Sequence, residues 1–315
     1  MAHDRRFRFG VICAGVGYED EASFSELVRR VEGHGYSTLF VPDHFLDHPL
    51  APTVALAHAA ALTTSLRVGS LVLGNDYKHP VVLAREMATL DRLSNGRLEL
   101  GIGAGWMTAD YDKAGMQLDP PGTRIARLAE SITILKGLFA PGAFSFSGEH
   151  YTVTDLDGDP KPVQQPVPFC IGGGGPKILA LAAREADIVG VNANLRGGVG
   201  DSADAVSSLT AAATDAKIAR LRAAAGGRYD DLEIQTLVGF TLLTADSASI
   251  VDMIAANFGV TPDDARMAPV TLVGTEDEIV DLLEARRDRW QMSYMVVGAD
   301  AVDSFAPVVA RLNGK

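Results

Sequence analysis

Eight short runs of apolar, often β-branched residues recur along the chain, and segments with helical spacing separate most of them. The first four runs are residues 7–14, 38–41, 68–73 and 98–102, and the last four are residues 169–171, 188–191, 234–238 and 294–297. Runs that are apolar on both faces are typical of parallel strands covered by helices. Eight such strands alternating with helices over 315 residues predict an α/β fold of the (β/α)₈ TIM-barrel type.

The segment after the first run illustrates the helical pattern. Its apolar residues fall at positions i, i+3, i+4 and i+7, and they are Phe24, Leu27, Val28 and Val31. This spacing predicts an amphipathic helix with one apolar stripe. Ser23 followed three residues later by Glu26 predicts a capping box at its start.

Three intervals between the apolar runs are too long for a simple crossover, namely residues 141–167, 195–203 and 244–270. In a barrel such insertions usually lie near the face that holds the active site, as a lid or a substrate wall. Within the first interval, residues 144–153 alternate around Gly148 and predict a β-hairpin. No linker divides the chain, so we expect a single domain over residues 1–315.

The charge balance argues against nucleic acid and anionic lipid as partners. Asp and Glu number 40 against 28 Lys and Arg, which gives a formal charge of −12 without a basic patch. The two cysteines, Cys13 and Cys170, lie in apolar runs far apart, which fits a reducing cytosol better than a disulfide. We find neither a signal-peptide pattern nor a stretch of about 18 apolar residues, so we expect a cytoplasmic protein without a membrane span.

Asp43 and His44 follow the second apolar run, where a barrel places its active groups. An imidazole beside a carboxylate suits proton transfer, or hydrogen bonding to a cofactor, near neutral pH. One alternative is an ordinary surface histidine. Another is a metal site that includes Asp47 and His48, but the segment is short and no further ligands are evident at other strand ends.

Glycines alternate at the end of the fourth apolar run, at Gly101, Gly103 and Gly105, and Trp106 follows them. Trp106 stands where a dinucleotide fingerprint needs its third glycine, which argues against a Rossmann fold. Without side chains on that face, a flat ring could lie against the strand end, with Trp106 as a wall. Gly74, after the third run, marks either a close approach to a ligand or an ordinary turn.

Four consecutive glycines, residues 172–175, precede Pro176 and end the fifth apolar run. Because proline favours the first position of a helix, backbone N–H groups would there point along a helix axis. This arrangement predicts an anion site, most naturally for a phosphate, with Lys177 nearby. The alternative is a flexible turn without a ligand.

Four segments together resemble the bacterial luciferase-like superfamily of flavin and deazaflavin enzymes. They are LFVPDHF at 39–45, YKHPVVLAREMATLDRLSNGR at 77–97, LGIGAGW at 100–106 and FCIGGGGP at 169–176. The segments fall in the family's order and span nearly the whole chain, and the stretch from His79 to Trp106 is the most specific.

The resemblance implies a TIM barrel that binds coenzyme F420 or FMN at its C-terminal face, commonly as a homodimer joined through residues 53–64 and the following helix. It implies that His44 helps to transfer protons at the cofactor ring. The implied cofactor contacts are Asp43, His44, Leu73, Ala104, Gly105, Gly174, Gly175, Lys177 and Ile178, with no metal. It also implies a non-proline cis peptide near Ser70–Leu71.

One position departs from the F420-dependent glucose-6-phosphate dehydrogenases of this superfamily. Those enzymes carry a catalytic glutamate directly after the glycines that end the fourth apolar run. Trp106 stands there instead, which argues against oxidation of a sugar phosphate and leaves no obvious second acid or base. The leading hypothesis is an F420-dependent oxidoreductase that acts on a small organic substrate. The alternatives are an FMN-dependent monooxygenase supplied by a separate flavin reductase and a non-catalytic flavin-binding protein.

Overall fold

Eight parallel strands form a closed barrel in the computed structural model, which describes residues 4–15, 18, 20–46, 48–198, 200 and 202–315. The ring closes because the strand Arg67–Ser70 pairs with both Thr38–Val41 and Leu98–Gly103. The barrel strands are β1 (Arg8–Ile12), β2 (Thr38–Val41), β3 (Arg67–Ser70) with its short continuation β4 (Leu73–Gly74), β5 (Leu98–Gly103), β8 (Phe169–Gly173), β9 (Ile188–Val191), β10 (Glu233–Leu237) and β13 (Met292–Gly298).

Helices connect the barrel strands and cover the outside of the barrel. They are α1 (Glu21–Gly33), α2 (Pro52–Leu62), α3 (Pro80–Leu93), α4 (Thr108–Ala114), α5 (Pro121–Phe139), α6 (Pro176–Glu185), α7 (Ala203–Ser207), α8 (Ala211–Ala225), α9 (Ser247–Phe258), α10 (Pro262–Met267), α11 (Glu276–Trp290) and α12 (Val302–Leu312). The predicted (β/α)₈ barrel is confirmed. No helix of the described ranges is both long enough and apolar enough to cross a membrane.

The apolar stripe predicted for α1 is buried, but the predicted capping box of Ser23 and Glu26 is wrong. The helix begins at Glu21, and Asp20 caps it by accepting a hydrogen bond from the Ser23 backbone N–H at 2.8 Å. Ser23 completes the box because its hydroxyl meets the Asp20 backbone N–H. The cap therefore lies three residues earlier than the sequence indicated, since Asp20 also offers a short acceptor in front of this turn.

Side chains that point inward fill the barrel with a small cluster around Phe40 and Tyr294, whose ring centroids lie 6.0 Å apart. The Phe40 ring fits because Gly10 and Gly69 stand on the neighbouring strands, where a Cβ would come within 2.8 Å of it. The outward side chains of the same strands join the larger core between barrel and helices. The interior is therefore packed and offers no channel.

A buried ionic cluster closes the amino-terminal end of the barrel. Glu99 is 1% exposed and accepts hydrogen bonds from Arg8 and Arg67, both at 2.8 Å, and from the Tyr294 hydroxyl at 3.0 Å. Arg8 also pairs with Glu233 at 2.6 Å. Burial by itself would raise the pKa of Glu99, but the two arginines outweigh it and hold that pKa below its usual 4.5.

The insertions add structure outside the barrel. The predicted hairpin is present as β6 (Ala143–Ser147) and β7 (Thr152–Asp157), and Glu130 of α5 accepts three backbone N–H bonds from its turn. A parallel pair, β11 (Phe240–Leu243) and β12 (Thr271–Gly274), packs with α9 and α10 in a small apolar cluster of its own.

The third apolar run is interrupted in the structure. The non-proline cis peptide joins Leu71 and Val72, one bond later than Ser70–Leu71. The run that the sequence predicts as one strand is therefore split into β3 and β4.

Replacing Glu99 tests the ionic cluster. Glu99→Gln should lower the free energy of unfolding by about 3 kcal/mol, because it leaves Arg67 without a carboxylate and Arg8 with Glu233 alone. Since the folded-state pKa of Glu99 lies below 4.5, its contribution is present above that pH and is lost as the pH falls, so the variant should lose less stability on acidification. Urea unfolding at several pH values measures both effects.

Glu276→Gln is the matched control, because Glu276 belongs to a surface ion pair with Arg311 and is 42% exposed in its side chain. It should change stability by well under 1 kcal/mol. Equal losses in the two variants would contradict a special role for the buried cluster.

Candidate active site

The carboxyl ends of the barrel strands bring together several residues singled out in the sequence. His44 follows β2, Trp106 follows β5, and their rings meet edge to face with centroids 5.5 Å apart. His48 stacks on His44 from the other direction at 5.3 Å. The His44 side chain is 19% exposed, so it remains accessible from the open end of the barrel.

The hydrogen-bond partner of His44 is Asp110 and not Asp43. The Nδ1 atom of His44 lies 2.6 Å from Oδ2 of Asp110, a fully buried residue in the first turn of α4. The other oxygen of Asp110 accepts the backbone N–H of Phe45 at 3.1 Å, which fixes the carboxylate. Because a carboxylate accepts the proton on Nδ1, the neutral ring presents Nε2 as an unprotonated acceptor.

Asp43 has a different partner. Its Oδ2 accepts the backbone N–H of Gly74 at 3.0 Å, which joins the loop after β2 to the end of β4. Burial raises the pKa of Asp43, although the Gly74 bond and nearby Lys78 act in the opposite direction. The described contacts therefore contain no hydrogen bond between Asp43 and His44. The Asp43 carboxylate is bonded to Gly74, and the His44 ring is bonded to Asp110.

Tyr77 packs over Gly74. A Cβ on Gly74 would lie 2.6 Å from the Tyr77 ring, so this glycine serves the packing of Tyr77 and not the approach of a ligand. Burial, reinforced by Asp110 and Asp43, raises the pKa of Tyr77, so its hydroxyl stays protonated at neutral pH.

The alternating glycines at the end of β5, Gly101, Gly103 and Gly105, do not leave the bare face that the sequence analysis expected. Side chains at these positions would overlap the Ser70 carbonyl at Gly101, the Val72 side chain at Gly103 and the Tyr111 hydroxyl at Gly105. The interpretation of an open backbone face is wrong, because the segment around the cis peptide and helix α4 fill the space.

Arg124 of α5 fixes the backbone at the end of β5. It is 7% exposed, and its Nη1 donates to the carbonyl oxygens of Ala104, at 3.0 Å, and Gly105. In a trans peptide the C=O and the following N–H point in opposite directions. The N–H groups of Gly105 and Trp106 therefore face away from Arg124, and within the described ranges no hydrogen-bond partner is recorded for them.

The four glycines at the end of β8, two within the strand and two after it, form a cradle at the start of α6. The helix begins at Pro176 with Gly175 as N-cap, and within the described ranges the N–H groups of Lys177 and Ile178 have no recorded partner. A Cβ on Gly175 would meet a single atom, Oδ1 of Asn194, at 3.6 Å, so this position is open. A Cβ on Gly174 would collide with the backbone of Asn192 and Ala193, so Gly174 is required by packing.

The insertion after β9 borders the same face. A Cβ on Gly200 would lie 3.6 Å from the Trp106 ring, and Gly198 packs on Thr108. For the metal alternative, no group of three or more metal-binding side chains occurs among the described residues, and Asp47 lies outside them.

Sequence reasoning missed Asp110 and Arg124. Asp110 contacts His44 across 66 residues, and the sequence offers no local signal for that pairing. Arg124 is an ordinary helix residue in the sequence, and only the fold brings it to the end of β5.

Several curated relatives carry names that include a cofactor, among them three F420-dependent glucose-6-phosphate dehydrogenases. An F420-dependent glucose-6-phosphate dehydrogenase of Amycolatopsis mediterranei is 31% identical over 185 residues, which is 55% of each chain. An FMNH₂-dependent dimethylsulfone monooxygenase of Pseudomonas putida is 30% identical over 162 residues, covering 51% of this chain and 44% of the relative. The chain thus spans about half the length of these curated relatives.

The fold also matches a solved structure over nearly its full length. The coenzyme F420-dependent tetrahydromethanopterin reductase of Methanopyrus kandleri superposes with a TM-score of 0.76 over 98% of this chain and 100% of the other, at 18% identity. At that identity the match supports the fold alone. The family model described as luciferase-like monooxygenase matches residues 8–250, and the chain therefore belongs to the luciferase-like monooxygenase family.

Proposed function

We propose that this protein is an oxidoreductase that uses coenzyme F420 to transfer a hydride to or from a small organic substrate. The observation that carries the proposal is the His44–Asp110 pair, a proton-transfer group oriented by a buried carboxylate at the open end of the barrel. Named relatives that depend on F420 support this choice of cofactor. Trp106, in the place of a catalytic glutamate, argues against a sugar phosphate as substrate.

The residues present fit a ligand with a flat ring and a phosphate. At one end, Gly175 is free of crowding, and the N–H groups of Lys177 and Ile178 are available to a phosphate. At the other end, the N–H groups of Gly105 and Trp106 would meet polar atoms of the ring. The remaining expected ring contacts are Asp43, Leu73 and Ala104.

In the proposed reaction the cofactor supplies two-electron hydride transfer, and the protein orients the reactants and excludes water. Asp110 holds the proton on Nδ1 of His44, which leaves Nε2 to take up or release the proton that accompanies hydride transfer. Trp106 bounds the imidazole on one side, and Gly200 lies beside the Trp106 ring, so both would limit the access of bulk water to this proton.

An FMN-dependent monooxygenase is the second candidate, and the relative from Pseudomonas putida favours it. In that case a separate flavin reductase would supply reduced FMN. FMN would bind to the same glycine cradle and beside the same His44 imidazole, because FMN also joins a tricyclic ring to one phosphate.

We also propose a homodimer through α2 and α3. Val54 on α2 and Leu93 on α3 are each 74% exposed, and an apolar groove of about 260 Å³ runs between the two helices past Ala57 and Leu90. Burying such apolar area against a second copy would stabilise the pair.

Equilibrium titration tests the choice of cofactor. Coenzyme F420 should bind with a dissociation constant in the micromolar range or below, about −8 kcal/mol. FMN measured in parallel is the competitor. Tight FMN binding without a saturable F420 signal would establish the monooxygenase candidate instead, and binding without turnover of any reduced or oxidised form would indicate a non-catalytic flavin-binding protein.

Substitutions in the His44–Asp110 pair test the proton-transfer role. His44→Ala should lower the single-turnover rate at saturating cofactor on the order of 10²-fold or more, with little change in cofactor affinity. Asp110→Asn should also slow the reaction, because the amide N–H would donate to Nδ1 and move the ring proton to Nε2. Nitrogen chemical shifts of the His44 imidazole report this exchange without any substrate.

Asp112→Asn is the matched control, since Asp112 is an exposed carboxylate on the same helix. It should leave both the rate and the imidazole shifts unchanged. A wild-type rate in His44→Ala would remove His44 from the mechanism.

Charge on the α2–α3 surface tests the dimer. Val54→Glu combined with Leu93→Glu should convert a wild-type dimer into monomers in sedimentation velocity, because opposed copies would bury carboxylates. Met253→Glu, at a 55% exposed apolar position on α9, should leave the dimer intact. A monomeric wild type would rule the proposal out.

A further inference from the structure

Lys217 of α8 is a lysine buried in an unusual setting. It is 4% exposed, and its Nζ donates to two backbone carbonyl oxygens, at 2.6 Å to Asn192 and at 2.5 Å to Ser208. In the described part of the chain no carboxylate forms an ion pair with it. Burial lowers the pKa of Lys217 to about 8, and no charge among the described residues opposes that effect.

Burying a cation without a counter-charge costs free energy of folding. A cation that is nevertheless buried commonly binds a ligand or has a structural role. Two carbonyl dipoles satisfy hydrogen bonds of the ammonium group but carry no net charge. An anion held close by would complete the electrostatic balance of this site.

The glycine cradle at the start of α6 lies next to this ammonium group. The Asn192 carbonyl oxygen that accepts the Lys217 bond at 2.6 Å would stand 2.5 Å from a Cβ on Gly174. Two residues further on, Asn194 approaches Gly175, and its backbone N–H is held by the Ser208 hydroxyl at 2.8 Å. The segment 192–194 therefore contacts both the cradle and the pair formed by Lys217 and Ser208.

We propose that Lys217 supplies the buried positive charge that selects a phosphate group at the α6 cradle. The backbone N–H groups of the cradle would make the direct hydrogen bonds, and Lys217 would act at longer range through the peptide segment 192–194. Charge interactions across a few ångströms of protein interior are screened far less than in water, so contact is not required. The inference deepens the proposed function, which already assumes a ligand with a phosphate.

A purely structural role is the competing explanation, since Lys217 also anchors segment 192–194. The two roles differ in what a neutral substitution does to ligands with and without a phosphate. Loss of charge would affect only the phosphorylated ligand, whereas loss of the anchor would affect every ligand of the pocket.

The experiment compares FMN with riboflavin, and coenzyme F420 with its phosphate-free deazaflavin fragment, by fluorescence titration. Lys217→Gln keeps an amide that can donate to the two carbonyls, and Lys217→Met removes the donor as well. Both should weaken the phosphorylated member of each pair by about tenfold and the other member by less than twofold. Lys217→Arg, which keeps the charge, should retain the preference for phosphate.

Two further variants calibrate the measurement. Gly175→Val should reproduce the phosphate-selective loss, because its side chain would cover the open N–H groups of the cradle. Lys113→Met removes an exposed lysine of α4 and should change neither member of a pair. Equal weakening of both members by Lys217→Gln would overturn the proposal and leave Lys217 as an anchor.

Inorganic phosphate provides a readout that does not depend on the proposed cofactor. Phosphate at tens of millimolar should raise the melting temperature of the wild type above that in chloride of equal ionic strength, and Lys217→Gln should lose this gain. If no ring binds but the Lys217-dependent gain persists, the proposed function fails and this inference stands. If neither a ring nor phosphate shows any dependence on Lys217, the inference is wrong.

Discussion

Closure of the parallel barrel is the constraint on which the rest of the structure depends. Eight strands can close only if their inward side chains fill the interior, and here Phe40 requires a glycine on each neighbouring strand. The amino-terminal end holds Glu99 with Arg8 and Arg67, whose charges are stabilised by one another in a buried cluster. With one end filled by ion pairs and the middle by apolar rings, the carboxyl end is the part of the barrel where polar groups without partners can face a ligand.

The candidate site depends on elements outside the barrel as much as on the strands. His44 follows a strand, but the carboxylate that orients it belongs to α4, and the arginine that fixes the end of β5 belongs to α5. The cradle follows β8, while the buried cation behind it, Lys217, comes from α8. Strand ends therefore present the candidate groups, and helices from the following connections supply the side chains that hold them.

The sequence was sufficient for the barrel, because apolar runs at regular intervals report strand positions locally. It also predicted the position of His44, which follows a strand, and that of the α6 cradle, since four glycines before a proline indicate a helix start. It failed where the outcome depends on packing. Val72 occupies the space beside Gly103, and Tyr111 occupies the space beside Gly105. The segment 192–194 occupies the space beside Gly174. Asp110 could not be found at all, because a single aspartate in a helical first turn looks like an ordinary helix start.

The distribution of charge around the open end of the barrel favours one orientation of a ligand in the proposed site. Near β2 and β4, the carboxyl groups of Asp43 and Asp110 lie close to His44, so this side of the open end disfavours an anion. Near β8 and β9, free N–H groups at a helix start and the buried Lys217 favour one. In the ring order of the barrel, β3 and β5 separate β2 from β8. A ligand with a phosphate at one end would therefore lie with that end over β8 and its ring beside His44, since the reverse orientation would place its charge against two carboxyl groups.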